Sequence, residues 1–255
     1  MTTDITFNVA DFVAVITLNR PQKHNAITQE MSAALQDFCA GINRDDKIRA
    51  VLLKGAGEKA FCSGSDLNSL AQYSTPWKFR HRVIYESVIR DIKKPVIAAL
   101  KGWVLGGGCE MALACDIRIA GRSSKFGCPE VTRGWVGGGG ASQMMPRLIG
   151  YGAAMKILLT GDPIDANEAY RLGLCDVLVD DSEVEATAMA MCRKIAGFSP
   201  VAVESVKAAV RMSLSASLDA GLRYENEMNT LCFSAGDHME GIRAFNEGRT
   251  AEFKR

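Results

Sequence analysis

The sequence has no excess of charge of either sign and no long hydrophobic run. Its 255 residues include 30 Lys and Arg against 29 Asp and Glu, a formal net charge of +1. Nucleic-acid recognition depends on phosphate contacts by clustered Lys and Arg, and no basic stripe is present. No apolar run approaches the roughly 20 residues that span a bilayer. We therefore expect neither a nucleic-acid partner nor a membrane segment.

The first residues carry no targeting signal. They read MTTDIT and lack the basic segment followed by an apolar core that marks a secretory signal. They are not rich in Arg, as a transit peptide would be. We therefore expect a cytoplasmic protein.

Metal-binding and disulfide patterns are missing as well. The chain has 8 Cys and 3 His, but no C-x-x-C pair occurs and the His residues stand far apart. Zinc sites and disulfide frameworks use closely paired ligands or regularly spaced cysteines. Most of these cysteines lie in apolar runs, where Cys behaves as a small hydrophobe. The sequence therefore predicts no metal site.

Common nucleotide-binding and nucleophile motifs are also absent. No G-x-x-x-x-G-K-[ST] occurs, and no G-x-S-x-G surrounds Ser63 or Ser65. Residues 55–60 fit G-x-G-x-x-A after a predicted strand, but no helix start follows, which argues against a dinucleotide fold. His24 and His81 have no obvious Asp partner, so a Ser–His–Asp triad has little support.

Strand-like and helix-like patterns alternate over the first 181 residues. Short apolar runs predict strands at residues 13–18, 50–53, 95–100, 116–120 and 174–179. Thr28 is a suitable N-cap for one helix, and a second helix is predicted over residues 77–92. From residue 182 the pattern is helical. We predict an α/β core over residues 1–181 and a helical C-terminal region over residues 182–255, which packs on the core and on neighbouring subunits.

A glycine cluster between a predicted strand and a predicted helix is the most informative segment. Gly106, Gly107 and Gly108 open an apolar helical run, and Glu110 follows on the same face as Gly107. Free N–H groups and the dipole at a helix start suit a developing oxyanion. This segment can supply an anion-stabilising N–H and a carboxylate, and Glu130 is a second candidate carboxylate.

Each of these features also has a structural interpretation. Glycine clusters often serve tight helix–strand packing, and a Glu in a first helical turn often only complements the helix dipole. The residues by themselves leave both interpretations open.

Further segments occur in a fixed order along the chain. They are LNRP at 18–21 with Asn25 and Ala26, AFCSGSDL at 60–67, KPVIAA at 94–99, LGGGCE at 105–110, FGCPE at 126–130 and LTG at 159–161. With them the sequence resembles the enoyl-CoA hydratase/isomerase (crotonase) family nearly end to end. The resemblance implies a spiral of repeated ββα units with a helical C-terminal region, and trimers that often pair as hexamers. It also implies an acyl-CoA substrate, the context of fatty-acid β-oxidation, and no cofactor beyond the coenzyme A of the substrate.

The resemblance also assigns the reacting groups by position. It implies oxyanion-hole N–H donors at Ser65 and Gly107, acid/base carboxylates at Glu110 and Glu130, and a glycine beside the catalytic water at Gly138. We expect Glu110 to activate the water and Glu130 to deliver the proton. The reverse division stays open, because neighbouring carboxylates titrate as a pair.

Substrate contacts are implied on both sides of these groups. Lys23 is the candidate contact to the nucleotide end of coenzyme A, although it can equally be a solvated surface residue. Four residues are expected along coenzyme A: Ser63, Asp66, Leu67 and Asn68. The sequence departs from the family at Trp135, Gly137 and Met144. Trp135 either forms a wall of the acyl pocket or packs beneath its loop.

Two carboxylates together with an oxyanion hole favour hydration. The predicted activity is an enoyl-CoA hydratase that adds water across the C2=C3 bond of a short-chain 2-enoyl-CoA. A dehydratase or a Δ3–Δ2 enoyl-CoA isomerase is an alternative of the same family. A catalytically silent CoA- or RNA-binding scaffold is an alternative of another class.

Overall fold

Ten strands and twelve α-helices make up the part of the chain that the computed structural model describes, residues 3–253. The strands are β1 (Ile5–Ala10), β2 (Val13–Leu18), β3 (Ala50–Gly55), β4 (Ala60–Cys62), β5 (Val96–Leu100), β6 (Trp103–Leu105), β7 (Ile117–Gly121), β8 (Lys125–Gly127), β9 (Ile164–Asp165) and β10 (Val177–Val179).

The helices surround the strands and dominate the end of the chain. They are α1 (Gln29–Arg44), α2 (Leu67–Leu70), α3 (Pro76–Arg80), α4 (Tyr85–Arg90), α5 (Gly107–Ala114), α6 (Ala141–Ile149), α7 (Tyr151–Thr160), α8 (Ala166–Leu172), α9 (Val184–Ala196), α10 (Pro200–Met212), α11 (Leu218–Ala235) and α12 (Asp237–Glu247). Short 3-10 helices occupy Pro21–Lys23, Pro129–Arg133 and Asp181–Glu183. None of the helices within residues 3–253 combines the length and apolarity that crossing a bilayer requires.

Successive strands are divided between two sheets. One sheet has the order β1-β2-β3-β5-β7-β10 and the other β4-β6-β8-β9. In three successive pairs along the chain, the first strand belongs to the larger sheet and the second to the smaller one: β3 and β4, β5 and β6, and β7 and β8. Within the larger sheet β2, β3, β5, β7 and β10 run parallel. The expected α/β spiral of repeated ββα units is therefore confirmed.

The central strand of the larger sheet is buried on both faces. All five residues of β5 are buried, as expected for a parallel strand with layers on both sides. One side packs against α1, α4 and α5, and the other side packs against α9. Seven of the eight cysteines are buried free thiols within these layers, which fits their expected role as small apolar residues.

Partly buried ion pairs attach helix α10 to the larger sheet. Asp116, just before β7, accepts from Lys207 Nζ at 2.5 Å and from Arg211 Nη2 at 3.1 Å, and both cations belong to α10. Helix α11, in contrast, has no buried residue. The division of the chain at residues 181 and 182 stays a prediction.

The single helix predicted over residues 77–92 is wrong. Two helices, α3 and α4, occupy this stretch, and residues 81–84 form a turn between them. Thr75 caps α3 through its side chain, and α4 starts anew after Ile84. The break directs Arg82 and Val83 toward a cavity, whereas a continuous helix would distribute them over its surface.

Candidate active site

One cavity of about 410 Å³ lies between the start of α5 and the segments around it. This volume suits a small organic ligand, for which about 300–1,000 Å³ is typical. All eleven residues predicted for the site line it: Lys23, Ser63, Ser65, Asp66, Leu67, Asn68, Gly107, Glu110, Glu130, Trp135 and Gly138. Residues 3–253 contain no group of three His, Cys, Asp or Glu side chains placed to hold a metal ion.

Backbone amides without protein partners line one side of the cavity. Gly106 is the N-cap of α5 with φ 55°, a left-handed conformation that favours glycine, and its carbonyl accepts from Glu110 N–H at 3.0 Å. Within the described residues, the N–H groups of Ser65 and Gly107 donate to no protein acceptor. A Cβ built on Gly64 would lie 3.0 Å from Gly107 N, so the backbone next to Ser65 lies close to the start of α5.

The Tyr85 hydroxyl lies next to Ser65 and Gly107. It lies 3.0 Å from Ser65 Oγ, and a Cβ built on Gly107 would overlap it. Burial raises the pKa of Tyr85 well above its ordinary value, so the group remains a neutral hydroxyl. Gly107 is therefore the residue that lets the helix start approach α4.

Glu110 is buried and held by another helix. Its Oε1 accepts hydrogen bonds from Gly139 N at 2.9 Å and from Ala141 N at 3.0 Å, and Ala141 is the first residue of α6. A Cβ built on Gly137 would lie 2.6 Å from the same oxygen, so the glycine-rich loop packs directly on the carboxylate. Two amides and the positive end of α6 complement a negatively charged Glu110.

Glu130 has a different environment. It lies in the 3-10 helix Pro129–Arg133, and its Oε2 is buried without a hydrogen-bond partner in the described part of the chain. Burial raises the pKa of Glu130, and repulsion by Glu110 adds to this effect. A Cβ built on Gly106 would lie 3.2 Å from Glu130 Oε1, so this acid faces the start of α5. Glu130 is thus suited to hold a proton beside the amide pair.

A third acid, Glu86, was not predicted. It is 5% exposed and lines the cavity from α4. A Cβ on Gly107 would lie 2.8 Å from Glu86 Oε1, and a Cβ on Gly139 would overlap its carboxyl carbon. Burial raises the pKa of Glu86 to about 7, with a further contribution from the negative charge of Glu110. Glu86 therefore stands between the amide pair and the loop that binds Glu110.

Comparison with known proteins agrees with this geometry. The family model described as enoyl-CoA hydratase/isomerase matches residues 9–255. The chain belongs to this family. It is 38% identical to the short-chain-enoyl-CoA hydratase of Clostridium acetobutylicum over 94% of the chain and 93% of that relative. It is 36% identical to the crotonyl-CoA hydratase of Syntrophomonas wolfei, with 94% of each chain covered.

The fold is that of the crotonase family as well. The crystal structure of an enoyl-CoA hydratase from Bacillus anthracis superposes with a TM-score of 0.94 at 36% identity, covering 99% of both chains. The match therefore includes the elements that build the cavity and also the C-terminal helices.

The predicted coenzyme A contacts lie along α2 and the 3-10 helix Pro21–Lys23. The Asp66 carboxylate is occupied within the protein, because it caps α2 through Asn68 N at 3.0 Å and pairs with Arg20 at 3.1 Å. Lys23 and Leu67 are exposed and open to a ligand. The Asp66 carboxylate is therefore already bound by the protein, because Arg20 balances its negative charge and the first amides of α2 donate to it.

The side of the cavity opposite α5 is formed by aromatic and basic side chains. The Trp135 ring lies 5.4 Å from the Phe79 ring, and Trp135 is 47% exposed. Arg82 lies against the same Phe79 ring, and a Cβ built on Gly138 would lie 2.7 Å from Arg82 Nη2. Trp135 therefore belongs to the cavity wall and does not pack beneath its loop.

A signal for Glu86 was present in the sequence. Glu86 lies three residues before the buried Ile89 and therefore shares the inward face of α4. A carboxylate on the apolar face of a helix is a candidate functional group. Arg82 had no comparable signal, because its direction depends on the turn at residues 81–84.

Proposed function

We propose that the protein is an enoyl-CoA hydratase that adds water across the C2=C3 double bond of a 2-enoyl-CoA thioester. The observation that carries this proposal is the convergence of two unpartnered amides, Ser65 and Gly107, with Glu110 and Glu130 in one cavity. Hydration needs stabilisation of a thioester enolate together with one base and one acid.

The amide pair supplies the oxyanion hole. As water adds at C3, electrons move through C2 to the thioester oxygen, which becomes negative. The N–H groups of Ser65 and Gly107 donate to that oxygen, and the dipole of α5 adds to the stabilisation. These donors are fixed by the backbone, so they need little reorganisation when the charge develops.

The two carboxylates divide the proton transfers. Glu110, surrounded by amide donors, removes a proton from water as the oxygen attacks C3. Glu130, whose pKa is raised, delivers its proton to C2 as the enolate collapses. Gly138 lies within the glycine-rich loop that packs on Glu110, and its lack of a side chain leaves space for the water. The product is a 3-hydroxyacyl-CoA, and a proton moved from Glu110 to Glu130 restores the starting state.

Coenzyme A is part of the substrate in this proposal, and no other cofactor is needed. Lys23 binds the nucleotide end, and the other contacts follow the pantetheine chain: Ser63, Asp66, Leu67 and Asn68. The proposed setting is the cytoplasm, with fatty-acid β-oxidation as the metabolic context.

We further propose that the chain works as a homotrimer or a pair of trimers. Helices α11 and α12 carry exposed large apolar side chains that a single chain leaves uncovered, among them Leu218, Leu222, Phe233 and Phe245. Large apolar side chains exposed in this number on two helices are typical of a protein interface. Residues 182–255 would thus pack both on the core and on a neighbour. Light scattering across a concentration series tests this, and a stable monomer would contradict it.

The experiment that tests the activity is hydration of crotonyl-CoA by the purified protein. Loss of the enoyl-thioester absorbance should accompany formation of 3-hydroxybutyryl-CoA. Incubation with a 3-enoyl-CoA tests the isomerase alternative, because an isomerase would produce the 2-enoyl thioester instead. If a panel of 2-enoyl-CoAs gives no product while coenzyme A thioesters still bind, the hydratase proposal fails and a silent binding protein is supported.

A further inference from the structure

The wall that faces the loop of Glu110 carries a cation. Arg82 lies in the turn between α3 and α4 and is half-buried. Its Nη2 approaches Gly138 so closely that a Cβ there would lie 2.7 Å away. The next residue, Gly139, donates its N–H to Glu110 Oε1 at 2.9 Å. The guanidinium therefore stands at the end of the cavity where the acyl group of a substrate would lie.

The guanidinium is oriented by protein contacts. Arg82 Nη1 donates to the carbonyl oxygen of Phe79 at 3.0 Å, and Arg82 Cζ lies 4.0 Å from the centre of the Phe79 ring. The Trp135 ring lies 5.4 Å from the same Phe79 ring. A side chain fixed in this way loses little rotamer entropy when a ligand binds.

No protein carboxylate neutralises this cation directly. Within residues 3–253 no carboxylate oxygen lies within the 4.0 Å ion-pair distance of the Arg82 nitrogens. Glu86 is an acid close enough for its charge to act on Arg82, and burial raises the pKa of Glu86 to about 7, so that Glu86 is mostly protonated only below pH 7. The guanidinium has five N–H donors, of which one is used on Phe79.

A hydrocarbon acyl group would fit this wall poorly. It would remove water from the remaining guanidinium donors and offer no acceptor in return, which is costly for a charged group. A carboxylate offers two oxygens that match the planar fork of a guanidinium. The aromatic rings of Phe79 and Trp135 can cover the carbon atoms between the thioester and that carboxylate.

We infer that Arg82 binds a carboxylate carried by the acyl group, so that the substrate class is the CoA thioester of an unsaturated dicarboxylic acid. This inference rests on the proposed hydration reaction and adds to it the chemistry of the acyl group. In this arrangement Ser65 and Gly107 hold the thioester oxygen and Arg82 holds the distal end. The double bond is thereby fixed between the two ends, beside Glu110.

Matched pairs of thioesters test the inference. The probes are 2-enoyl-CoAs of four, five and six acyl carbons that end in a carboxylate, and the ω-methyl esters of the same acids. We expect kcat/KM for at least one acid to exceed that of its own ester by about 10- to 100-fold, the range for a charge-assisted hydrogen-bond pair. Arg82→Gln should reduce this acid-to-ester ratio to near one, and Arg82→Lys should retain part of it.

Controls separate this inference from the hydration proposal. Arg80→Gln removes the same charge from an exposed position on α3 outside the cavity and should keep the wild-type ratio. Binding of saturated dicarboxylic CoA thioesters and of their esters, measured calorimetrically, gives the same ratio without catalysis. Hydration of crotonyl-CoA with no acid preference overturns the role of Arg82 alone. If the acids bind more tightly than their esters, and this preference is lost in Arg82→Gln, but no probe is hydrated, only the hydration proposal is overturned.

Discussion

The two sides of the cavity present different chemical groups to a ligand. On the α5 side lie the backbone amides of Ser65 and Gly107 and the carboxylates of Glu110 and Glu130, and every residue of α5 itself is buried. On the opposite side the wall consists of the side chains of Phe79 in α3, Arg82 in the turn after it and Trp135 in a loop. The first side combines backbone amides with two carboxylates, and the second presents only aromatic and cationic side chains.

This difference separates the reaction from the choice of substrate. In the proposed reaction the oxyanion donors are the backbone amides of Ser65 and Gly107, and we expect them to remain in place when most neighbouring side chains change. A single substitution in the other wall can alter charge, size or shape. We expect substitutions on the α5 side to lower kcat for every substrate. Substitutions on the opposite side should change the ratio of kcat/KM between substrates.

The largest effect is expected from the two carboxylates. Glu110→Gln and Glu130→Gln should each lower crotonyl-CoA hydration by about 10²–10⁴-fold, because each removes one proton-transfer group. Glu58→Gln, at an exposed surface position, is the matched control and should retain wild-type turnover. Steady-state absorbance assays with a circular-dichroism check of folding measure the effect. Near-normal turnover in both cavity variants would remove the basis of the assignment.

The next largest effect is expected at the helix start. In Gly107→Ala the new methyl group meets the Tyr85 hydroxyl and lies 2.8 Å from Glu86 Oε1, so that the amide must move. Loss of one aligned oxyanion donor costs about 10²–10³ in kcat. Gly41→Ala in α1, where a Cβ meets nothing within 4 Å, should leave kcat unchanged and slightly stabilise the helix. An unchanged kcat in Gly107→Ala contradicts the oxyanion role.

The sequence was most informative where a function is encoded in consecutive residues. Gly107 and Glu110 belong to one helical turn, so their shared face could be predicted from spacing alone. Five of the six strands of the larger sheet were predicted from short apolar runs, and β1, which contains Thr and Asn and is mostly exposed, was not. The smaller sheet was not predicted, because its strands are only two or three residues long and show no periodicity.

The opposite wall could not be predicted because it depends on how distant segments meet. The apolar pattern across residues 77–92 suits one helix, and only tertiary packing replaces it with two helices and a turn. Arg82 reaches the cavity because of that turn. Its contact with Gly138 joins segments more than 50 residues apart in the sequence.

Glu86 links the two sides and makes activity depend on pH. Because its pKa is raised to about 7, it gains a negative charge beside Gly107 as pH rises through neutrality. This charge opposes the developing enolate, and we expect kcat to fall about tenfold on the alkaline side. Glu86→Gln should flatten this limb of the kcat profile. An alkaline limb of the same size and midpoint in the variant would contradict the role of Glu86.

The same group affects folding stability independently of catalysis. The folded-state pKa of about 7 lies above the ordinary value of 4.5, so the stabilising contribution of Glu86 is complete below 4.5 and is lost as pH rises through 7. Above pH 7 the Glu86→Gln variant should gain stability relative to wild type, by about 3 kcal/mol at most. Denaturant unfolding of wild type and Glu86→Gln at pH 4.5 and pH 8 measures this. If the difference in their free energies of unfolding is the same at both pH values, the prediction is contradicted.

The smallest effect is expected at Trp135, which is half-exposed and lies next to the Phe79 ring in the cavity wall. Trp135→Ile enlarges the acyl end of the cavity, so the kcat/KM ratio of longer to shorter 2-enoyl-CoAs should rise by about tenfold or less. Trp77→Ile is the matched control, because Trp77 is 69% exposed and lies outside the cavity lining. A chain-length profile identical to wild type in Trp135→Ile would contradict the role of the Trp135 ring as a wall of the acyl pocket.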